Sequence, residues 1–398
     1  MNPGSLGEVF RVFLRLGLTS FGGPVAHLGY FHEAFVQRRG WLTARDYGNL
    51  VAICQFLPGP ASSQVCIGIG LARAGLAGAF LAWIAFLLPS VLIMVAFGYG
   101  VTVWRDSIPP GLLTALQTVA VAVVAQAVWR MANQFCPDRV RVSMAVVGAA
   151  GSLLIPSPLA PLLMMGLAAV AGQWLAQDDK EPLSAIRELG IGRGLSVFCL
   201  VLLTVLLAAS ALLSGLAPTL ADHQLVKVFL SFFSSGSLVF GGGHVVLPLL
   251  QATVVSPGWV TSSEFLAGYG AAQAVPGPLF SLSAYLGTVL APFPSGWQGA
   301  LFCLAAIYLP SFLLLFGVLP FWSAVQRHQP VQKAQIGINA AVVGVLLAAL
   351  YQPIWVSAVT DGRTFLMALV AFTGLVFWRV PSWLLVIVAA TVGWLWLT

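Results

Sequence analysis

Charge is what this 398-residue sequence has least of. Only 8% of its residues are Asp, Glu, Lys or Arg, whereas 59% are hydrophobic. A soluble domain carries about 25% charged residues, so the composition excludes a water-soluble enzyme or binding module. Two stretches, 76–104 and 265–326, contain no charged residue at all. Because a helix needs about 20 apolar residues to cross a bilayer, we predict an all-α polytopic membrane protein.

Cysteine is also scarce, and its five copies are scattered, mostly within apolar sequence. No two of them have the spacing of a metal site, and they define no disulfide framework. The chain also lacks a Walker loop, a Cys-x-x-Cys pair and a pair of histidine-rich helices. We therefore expect no catalytic residue, no metal and no cofactor. A membrane-embedded reductase or transferase becomes a minor alternative to a transporter, and the sequence does not separate a carrier from a channel.

One unusual pattern of glycine and proline, in contrast, occurs twice. The first copy reads Phe21-Gly22-Gly23-Pro24, Trp41-Leu42-Thr43, Asp46 and Gln55-Phe56-Leu57-Pro58-Gly59-Pro60. The second copy reads Phe240-Gly241-Gly242-Gly243-His244, Trp259-Val260-Thr261, Glu264 and Gln273-Ala274-Val275-Pro276-Gly277-Pro278. The step between copies is 219 residues at the Phe-Gly-Gly motif and 218 at the other positions. Matches held in register over this length indicate a duplicated unit.

The duplication and one polar stretch divide the chain. The stretch 177–193 is the only strongly polar one, and it separates two apolar halves. We therefore predict an N-terminal repeat over 1–177, a polar linker with a connector helix over 178–224, and a C-terminal repeat over 225–398. Within the first repeat, the apolar sequence separates into segments that include 46–73 and 75–104.

Basic residues predict how the repeats lie in the membrane. The loop after the first Phe-Gly-Gly segment carries Arg38, Arg39 and Arg45, whereas the matching loop 251–263 carries no Lys or Arg. Because basic loops stay in the cytoplasm, the two copies are expected to be inverted. Nearly all other basic loops also fall inside if the Phe-Gly-Gly and Pro-Gly-Pro segments are broken or re-entrant rather than crossing. Whether the Phe-Gly-Gly segments cross or re-enter is left open.

The repeated breaks favour an anion site built from neutral groups. Consecutive glycines let a backbone approach a ligand closely, proline ends one helix and suits the start of the next, and the free N–H groups of a helix start attract anions. Close helix packing and a simple kink are the alternatives. The expected substrate-binding residues are Gly22, Gly23, Gln55, Gly59, Ser62, Ser63, Gly241, Gly242, Gly243, His244, Gln273, Gly277 and Ser281.

Four titratable residues near these motifs are candidates for coupling transport to protons. Histidine changes charge near neutral pH, which singles out His244 and His27, with a structural, hydrogen-bonded histidine as the alternative for each. Glu33 and Glu264 flank the broken segments. Asp46 and Glu264 stand where a helix should begin, so helix capping is the stronger expectation for both.

With these motifs in place, the sequence resembles the chromate ion transporter family in its long, two-domain form. The resemblance covers nearly the whole chain. It rests on Leu16-Gly17-Leu18-Thr19-Ser20-Phe21-Gly22-Gly23-Pro24 with His27, on Arg38-Arg39-Gly40-Trp41-Leu42, on Pro58-Gly59-Pro60, and on the second copy at 240–248 and 259–278. One departure is that the second copy has Gly243-His244 where the first has Pro24-Val25.

The resemblance implies a multi-pass carrier of the bacterial inner membrane that exports chromate from the cytoplasm and gives chromate resistance. It implies secondary transport, with proton antiport suspected. The expected partners are chromate, the similar oxyanion sulfate and the lipid bilayer, with no nucleic acid and with a homodimer as one oligomeric alternative. A carrier of sulfate or another oxyanion, for which chromate is incidental, is the alternative function.

Overall fold

The computed structural model describes residues 4–103, 109–155, 160–175, 190–215, 223–291, 294–325 and 328–396. Within these ranges the secondary structure is helical, without strands. The helices of the first half are α1 (Leu6–Thr19), α2 (Gly23–Phe31, extended by a π-helical turn His32–Arg38), α3 (Ala44–Phe56), α4 (Ala61–Val103), α5 (Pro110–Phe135), α6 (Arg139–Leu154), α7 (Ala160–Leu175) and α8 (Arg193–Gly215).

The second half repeats this order. Its helices are α9 (Gln224–Ser237), α10 (Val246–Val254, entered by a 3-10 turn Gly243–Val245), α11 (Ser262–Ala272), α12 (Leu282–Val289, entered by a 3-10 turn Leu279–Ser281), α13 (Gly296–Val318), α14 (Trp322–Val325), α15 (Gln329–Ala349, extended by a π-helical turn Leu350–Trp355), α16 (Val356–Ala358), α17 (Gly362–Val376) and α18 (Ser382–Trp396). The all-helical class and the broken helices are confirmed.

Five helices of the described chain are long and apolar enough to cross a membrane: Ala61–Val103, Gly111–Phe135, Arg193–Leu212, Gly296–Phe321 and Gln329–Ala358. The first of these is a hairpin rather than one long span. The backbone leaves the helical conformation at Ala74 and Gly75, where Gly75 has φ of +65°. A Cβ on Gly70 would touch the carbonyl of Gly78, a contact that a continuous helix with a rise of about 12 Å over eight residues would forbid. The two arms therefore fold back on each other, at the boundary expected from the segments 46–73 and 75–104.

The chain forms two compact units, and each takes segments from both halves of the sequence. Unit 1 contains Met1–Thr102, Leu183–Val246 and Val275–Val325. Unit 2 contains Val103–Pro182, Leu247–Ala274 and Gln326–Thr398. The packing therefore groups equivalent segments of the repeats, and the repeat boundaries along the chain stay a prediction. The linker residues 178–189 lie outside the described residues, whereas the connector helix is α8.

In unit 2 each repeat packs against helices of the other. Helix α5 of the first half lies against α17 and α18 of the second, and α15 of the second half lies against α6 and α7 of the first. Small residues permit this close approach, because a Cβ on Gly344 would touch the carbonyl of Ala145 and one on Gly337 would touch that of Ala168. Packing through small residues is the usual way that helices associate in a membrane.

Unit 1 contains two equivalent helices with an internal proline, which are called the scaffold helices below. The second arm of α4 carries Pro89-Ser90, and α13 carries Pro310-Ser311, 221 residues later. In each repeat, the helix that precedes the Phe-Gly-Gly break packs on the scaffold helix of the same repeat, and it does so at equivalent positions. Gly17 of α1 lies against the carbonyl of Phe86, and Gly236 of α9 lies against the carbonyl of Ile307.

Candidate substrate site

The repeated motifs fall at breaks between helices, as predicted. Helix α1 ends at Thr19 and α2 begins at Gly23, while α3 ends at Phe56 and α4 begins at Ala61. In the second half, α9 ends at Ser237 before the turn at Gly243, and α11 ends at Ala272 before the turn at Leu279. Each break leaves the first N–H groups of the next helix without an intrahelical acceptor. Both Phe-Gly-Gly motifs and both Pro-Gly-Pro motifs belong to unit 1.

Each Pro-Gly-Pro motif is hydrogen-bonded to the Phe-Gly-Gly break of the other repeat. The backbone N–H of Gly59 donates to the carbonyl of Val239 at 2.7 Å, and that of Gly277 donates to the carbonyl of Ser20 at 2.9 Å. Gly277 is the repeat equivalent of Gly59, and Val239 is the equivalent of Ser20. The two bonds are therefore one contact made twice, and they join the four breaks in two pairs.

The central glycines of these motifs adopt a backbone that other residues rarely reach. Gly59 has φ of +123° and Gly277 has φ of +107°. A Cβ on Gly59 would lie 2.9 Å from Ser311 Oγ, and a Cβ on Gly277 would lie 3.0 Å from Ser90 Oγ. The serine that follows the proline of each scaffold helix thus lies beside the Pro-Gly-Pro motif of the other repeat.

The two Phe-Gly-Gly breaks meet each other at a pair of equivalent residues. A Cβ on Gly243 would lie 3.7 Å from Pro24 Cγ, and these two positions are 219 residues apart. The start of α2 and the 3-10 turn Gly243–Val245 therefore lie close together. A Cβ on Gly23 or on Gly242 would meet nothing within 4 Å, so there is open space beside these two glycines.

Buried hydroxyls at the breaks lack partners within the described structure. The side chains of Ser20 and Ser311 are 1% and 0% exposed, and neither Oγ has a hydrogen-bond partner. Gln64 is also buried, and its Nε2 donates to the carbonyl of Pro58 at 2.8 Å. Buried polar atoms are nearly always hydrogen-bonded, so the hydroxyls of Ser20 and Ser311 are candidates for donors to a ligand.

His27 lies in the same region and is completely buried. Its Nε2 lies 3.1 Å from the carbonyl of Ser20, and its Nδ1 lies 3.3 Å from the hydroxyl of Ser62. The ring of Phe86 packs edge-on against the imidazole, with centroids 5.4 Å apart. His27 therefore connects the first Phe-Gly-Gly break to the first turn of α4.

The remaining predicted residues separate into three groups. Ser63 and Ser281 are buried near the starts of their helices, and the Ser63 hydroxyl lies 3.2 Å from that of Tyr308. Gly22, Gly241 and His244 lie at the Phe-Gly-Gly breaks of unit 1, where His244 is half-buried. Gln55 is exposed at the end of α3, and Gln273 belongs to unit 2, where Ser382 Oγ donates to its carbonyl at 3.0 Å.

The acidic candidates make local contacts. Glu264 and Thr261 form a reciprocal capping box at the start of α11, and the Thr43 hydroxyl caps α3 by accepting from the N–H of Asp46 and donating to its carboxylate. The expected capping positions are therefore confirmed. Glu33 forms an exposed ion pair with Arg38, and its coupling role, like that of Glu264, stays a prediction.

Sequence reasoning missed four side chains of this site. Ser20, Gln64, Ser90 and Ser311 were not among the expected residues. A signal for two of them existed, because Pro89-Ser90 and Pro310-Ser311 repeat at almost the same step as the motifs. Gln64 carries no such signal, since its repeat equivalent is Leu282.

Comparison with known proteins gives one consistent result. The family model for the chromate transporter matches residues 7–173 and 226–394. The chain is 27% identical to the probable chromate transport protein of Synechococcus elongatus, over 98% of this chain and 95% of that protein. It is 27% identical to the chromate transport protein of Cupriavidus metallidurans, over 98% and 92% of the two chains. It is 26% identical to that of Pseudomonas aeruginosa, over 99% and 93%. No solved structure matches the chain.

The two matched regions each contain a complete set of the motifs that meet in unit 1. The family is one of transporters, which removes the enzyme alternative. On this match over both repeats, the chain belongs to the chromate transporter family.

Proposed function

We propose that this protein carries chromate out of the cytoplasm across the bacterial inner membrane and so gives chromate resistance. The observation that carries the proposal is the convergence of two helix starts at Pro24 and Gly243, beside buried hydroxyls without partners. Two relatives that match over more than 90% of their length are chromate transport proteins. Chromate is a tetrahedral dianion, and helix N-termini bind such oxyanions through backbone N–H groups.

Neutral donors suit a carrier because they bind the anion without trapping it. The Phe-Gly-Gly and Pro-Gly-Pro motifs contain no Lys or Arg. A buried fixed charge would add several kcal/mol of attraction in a medium of low dielectric constant, and release would then be slow. Each backbone N–H or hydroxyl donor contributes less to binding, about 1.5–3 kcal/mol for a hydrogen bond to a charged group.

The inverted repeat supplies a route to alternating access. Broken helices in corresponding places of inverted halves are typical of secondary transporters. Gly59 to Val239 and Gly277 to Ser20 are equivalent contacts, so under inverted topology they would approach the site from opposite faces. If one of these two hydrogen bonds breaks while the other is kept, the site opens to one side of the membrane at a time.

Membrane potential can drive the export by itself. One elementary charge moved through 100 mV corresponds to about 2.3 kcal/mol, so a dianion leaving a negative interior gains about twice that. Proton coupling is therefore an addition whose direction must be measured. Antiport and cotransport of a proton are the two arrangements, with His244 and His27 as the site's titratable candidates.

Flux into everted vesicles tests the proposal. Radiolabelled chromate should accumulate in vesicles that contain the protein and not in vesicles from the empty host. Imposing the membrane potential and the pH gradient separately would show which one drives uptake. Uptake indistinguishable from the empty host under all gradients would contradict the proposed function.

Sulfate competition tests the alternative substrate. Both anions are tetrahedral dianions and present the same acceptors to N–H donors. Excess sulfate should therefore compete for the site, and if chromate is the substrate, sulfate itself should be transported more slowly than chromate. Faster transport of sulfate than of chromate at equal concentration would favour the oxyanion carrier for which chromate is incidental.

A further inference from the structure

The hydrogen-bond partners of His27 fix the position of its proton. The carbonyl of Ser20 can only accept, so Nε2 of the imidazole must carry the hydrogen. In the neutral ring Nδ1 is then an acceptor, and the Ser62 hydroxyl donates to it. The same Ser20 carbonyl also accepts from Gly277, so both of its lone pairs are used and the ring is held in one orientation.

Protonating this ring reverses the direction of one hydrogen bond. A charged imidazole carries hydrogen on both nitrogens, so Nδ1 donates to Ser62 Oγ and the serine hydrogen is released to another acceptor. The groups that face the ring in the described structure are Ser20, Ser62 and Phe86, which belong to α2's own break and to the two arms of α4. None of these three side chains ionises, so His27 is the group that titrates there.

Ser62 lies at a helix start, the part of a helix that attracts anions. It lies in the first turn of α4, directly after Pro58-Gly59-Pro60, and is 2% exposed. A second observation marks this helix start as a ligand position. The hydroxyl of Ser311, fully buried and without a partner, lies beside Gly59 at the same break.

The second repeat lacks this pair. The position equivalent to His27 is Val246, and the position equivalent to Ser62 is Phe280. The cross-repeat backbone bonds are conserved between the halves, whereas the histidine and its serine occur once. Because this histidine–serine pair occurs in one repeat only, it can bind one proton per transport cycle.

We propose that His27 and Ser62 form a proton-operated hydroxyl switch: protonation of His27 turns the Ser62 hydroxyl from the imidazole to the bound oxyanion. This inference rests on the proposed function, since it assigns the proton linkage of that same site. Anion and proton then favour each other's binding, and affinity rises as pH falls. One proton leaving with a dianion still moves one net negative charge outward, so the membrane potential continues to favour export.

Chromate binding to the purified full-length protein between about pH 4 and 8 tests the switch, because exposed histidine titrates in the upper part of this range and burial of an imidazole favours its neutral form. Ser62→Ala should weaken binding about tenfold at the acid end of the range, where the hydroxyl donates to the anion, and little near pH 8, where it donates to His27. Chromate itself takes up a proton in this range, but that change is common to all variants and cancels in the ratio to wild type. Ser62→Thr keeps a hydroxyl and should restore the pH dependence.

Ser63→Ala is the matched control. Its hydroxyl is buried in the same helical turn but bonds Tyr308 instead of His27. Any loss of affinity in this variant should be the same factor at every pH. A loss in Ser62→Ala that is equally independent of pH would overturn the switch, and so would a pH dependence that disappears in His244→Gln but not in Ser62→Ala.

Histidine NMR spectra provide a second measurement if Ser62→Ala does not fold. In protein labelled with ¹⁵N-histidine, adding chromate at fixed pH should convert one of the five histidines to the doubly protonated form. The converted signal should be the one that is missing from the spectrum of His27→Gln. Chromate binding without any such conversion would overturn the switch while leaving the proposed function intact, whereas absence of chromate binding and flux in wild type would overturn the proposed function itself.

Discussion

The N–H of Gly59 lies 2.7 Å from the carbonyl oxygen of Val239, so the Pro-Gly-Pro break of the first repeat is completed by the Phe-Gly-Gly break of the second. The equivalent bond from Gly277 to Ser20 measures 2.9 Å. A break in a membrane helix exposes backbone groups that lipid cannot satisfy. Here a backbone N–H at the break of each repeat donates to a backbone carbonyl of the other repeat. The four breaks are therefore paired between the repeats and are not separate kinks.

Replacing Gly59 or Gly277 by alanine should destabilise the protein and abolish transport. Each has positive φ, which costs a residue with a Cβ about 1–3 kcal/mol, and a Cβ on Gly59 would lie 2.7 Å from Gln64 Nε2 and 2.9 Å from Ser311 Oγ. Thermal unfolding in detergent and vesicle flux are the measurements.

Gly48→Ala is the control for this pair. Gly48 lies within helix α3, and its Cβ would meet nothing within 4 Å. Alanine there should be neutral or stabilise by about 0.5–1 kcal/mol. Equal melting temperatures for Gly59→Ala and Gly48→Ala would contradict the constrained backbone at the break.

Gly23→Val and Gly242→Val should leave a folded protein that does not protect cells from chromate. A Cβ at either position meets nothing within 4 Å, so valine makes no clash but occupies the room beside the helix starts. The φ values of +77° at Gly23 and +144° at Gly242 add backbone strain, which costs about 1–3 kcal/mol. Expression level and chromate resistance are measured together.

Gly258→Val separates this effect from backbone strain. Gly258 has φ of +77°, as Gly23 does, and its Cβ also meets nothing within 4 Å, but it lies in the loop before Trp259. This variant should keep resistance. Full resistance in well-expressed Gly23→Val and Gly242→Val would show that these glycines serve packing alone.

Ser311→Ala should weaken chromate binding without weakening the fold. The Ser311 hydroxyl is buried and has no partner, so its removal costs no internal hydrogen bond, whereas loss of a bond to a bound dianion costs about 1.5–3 kcal/mol, roughly tenfold to a hundredfold in affinity. Ser235→Ala removes a buried hydroxyl that donates within α9 and should leave affinity unchanged. A lower melting temperature for Ser311→Ala with wild-type affinity would assign this serine to the fold.

Cysteines introduced at Arg39 and Ser256 should be labelled from opposite faces of the membrane. The first loop is basic and the second has no Lys or Arg, so the positive-inside rule predicts inversion. Four native cysteines are buried and Cys136 is half-buried, so a Cys136→Ser background limits unwanted reaction. Labelling of both sites by an impermeant reagent from the same side would contradict the inverted repeat.

The sequence predicted the breaks well because glycine and proline act on the backbone locally. The break at Pro58-Gly59-Pro60 follows from prolines that cannot continue a helix, and the turn between the arms of α4 falls at the expected boundary between the segments 46–73 and 75–104. The capping positions of Asp46 and Glu264 follow equally from neighbours three residues away.

The polar lining of the site was harder to predict, because burial depends on contacts distant in sequence. Gln55 was expected to face the anion and is exposed, whereas Gln64 is buried. Ser311 reaches Gly59 across more than half the chain, and no local pattern encodes that approach. The pairing of Gly59 with Val239 likewise needs the fold, although the duplicated spacing showed which residues were equivalent.

The exchange of helices between repeats has a consequence for biosynthesis. Helix α5 packs against α17 and α18, and unit 1 closes only with Val275–Val325. When the N-terminal half leaves the ribosome, the helices that pack against its broken segments have not yet been synthesised. It therefore stays in the translocon or in lipid until the later helices are inserted. Two half-length chains expressed together would then be expected to mature as a pair, and either one expressed alone would become a substrate for membrane quality-control proteases.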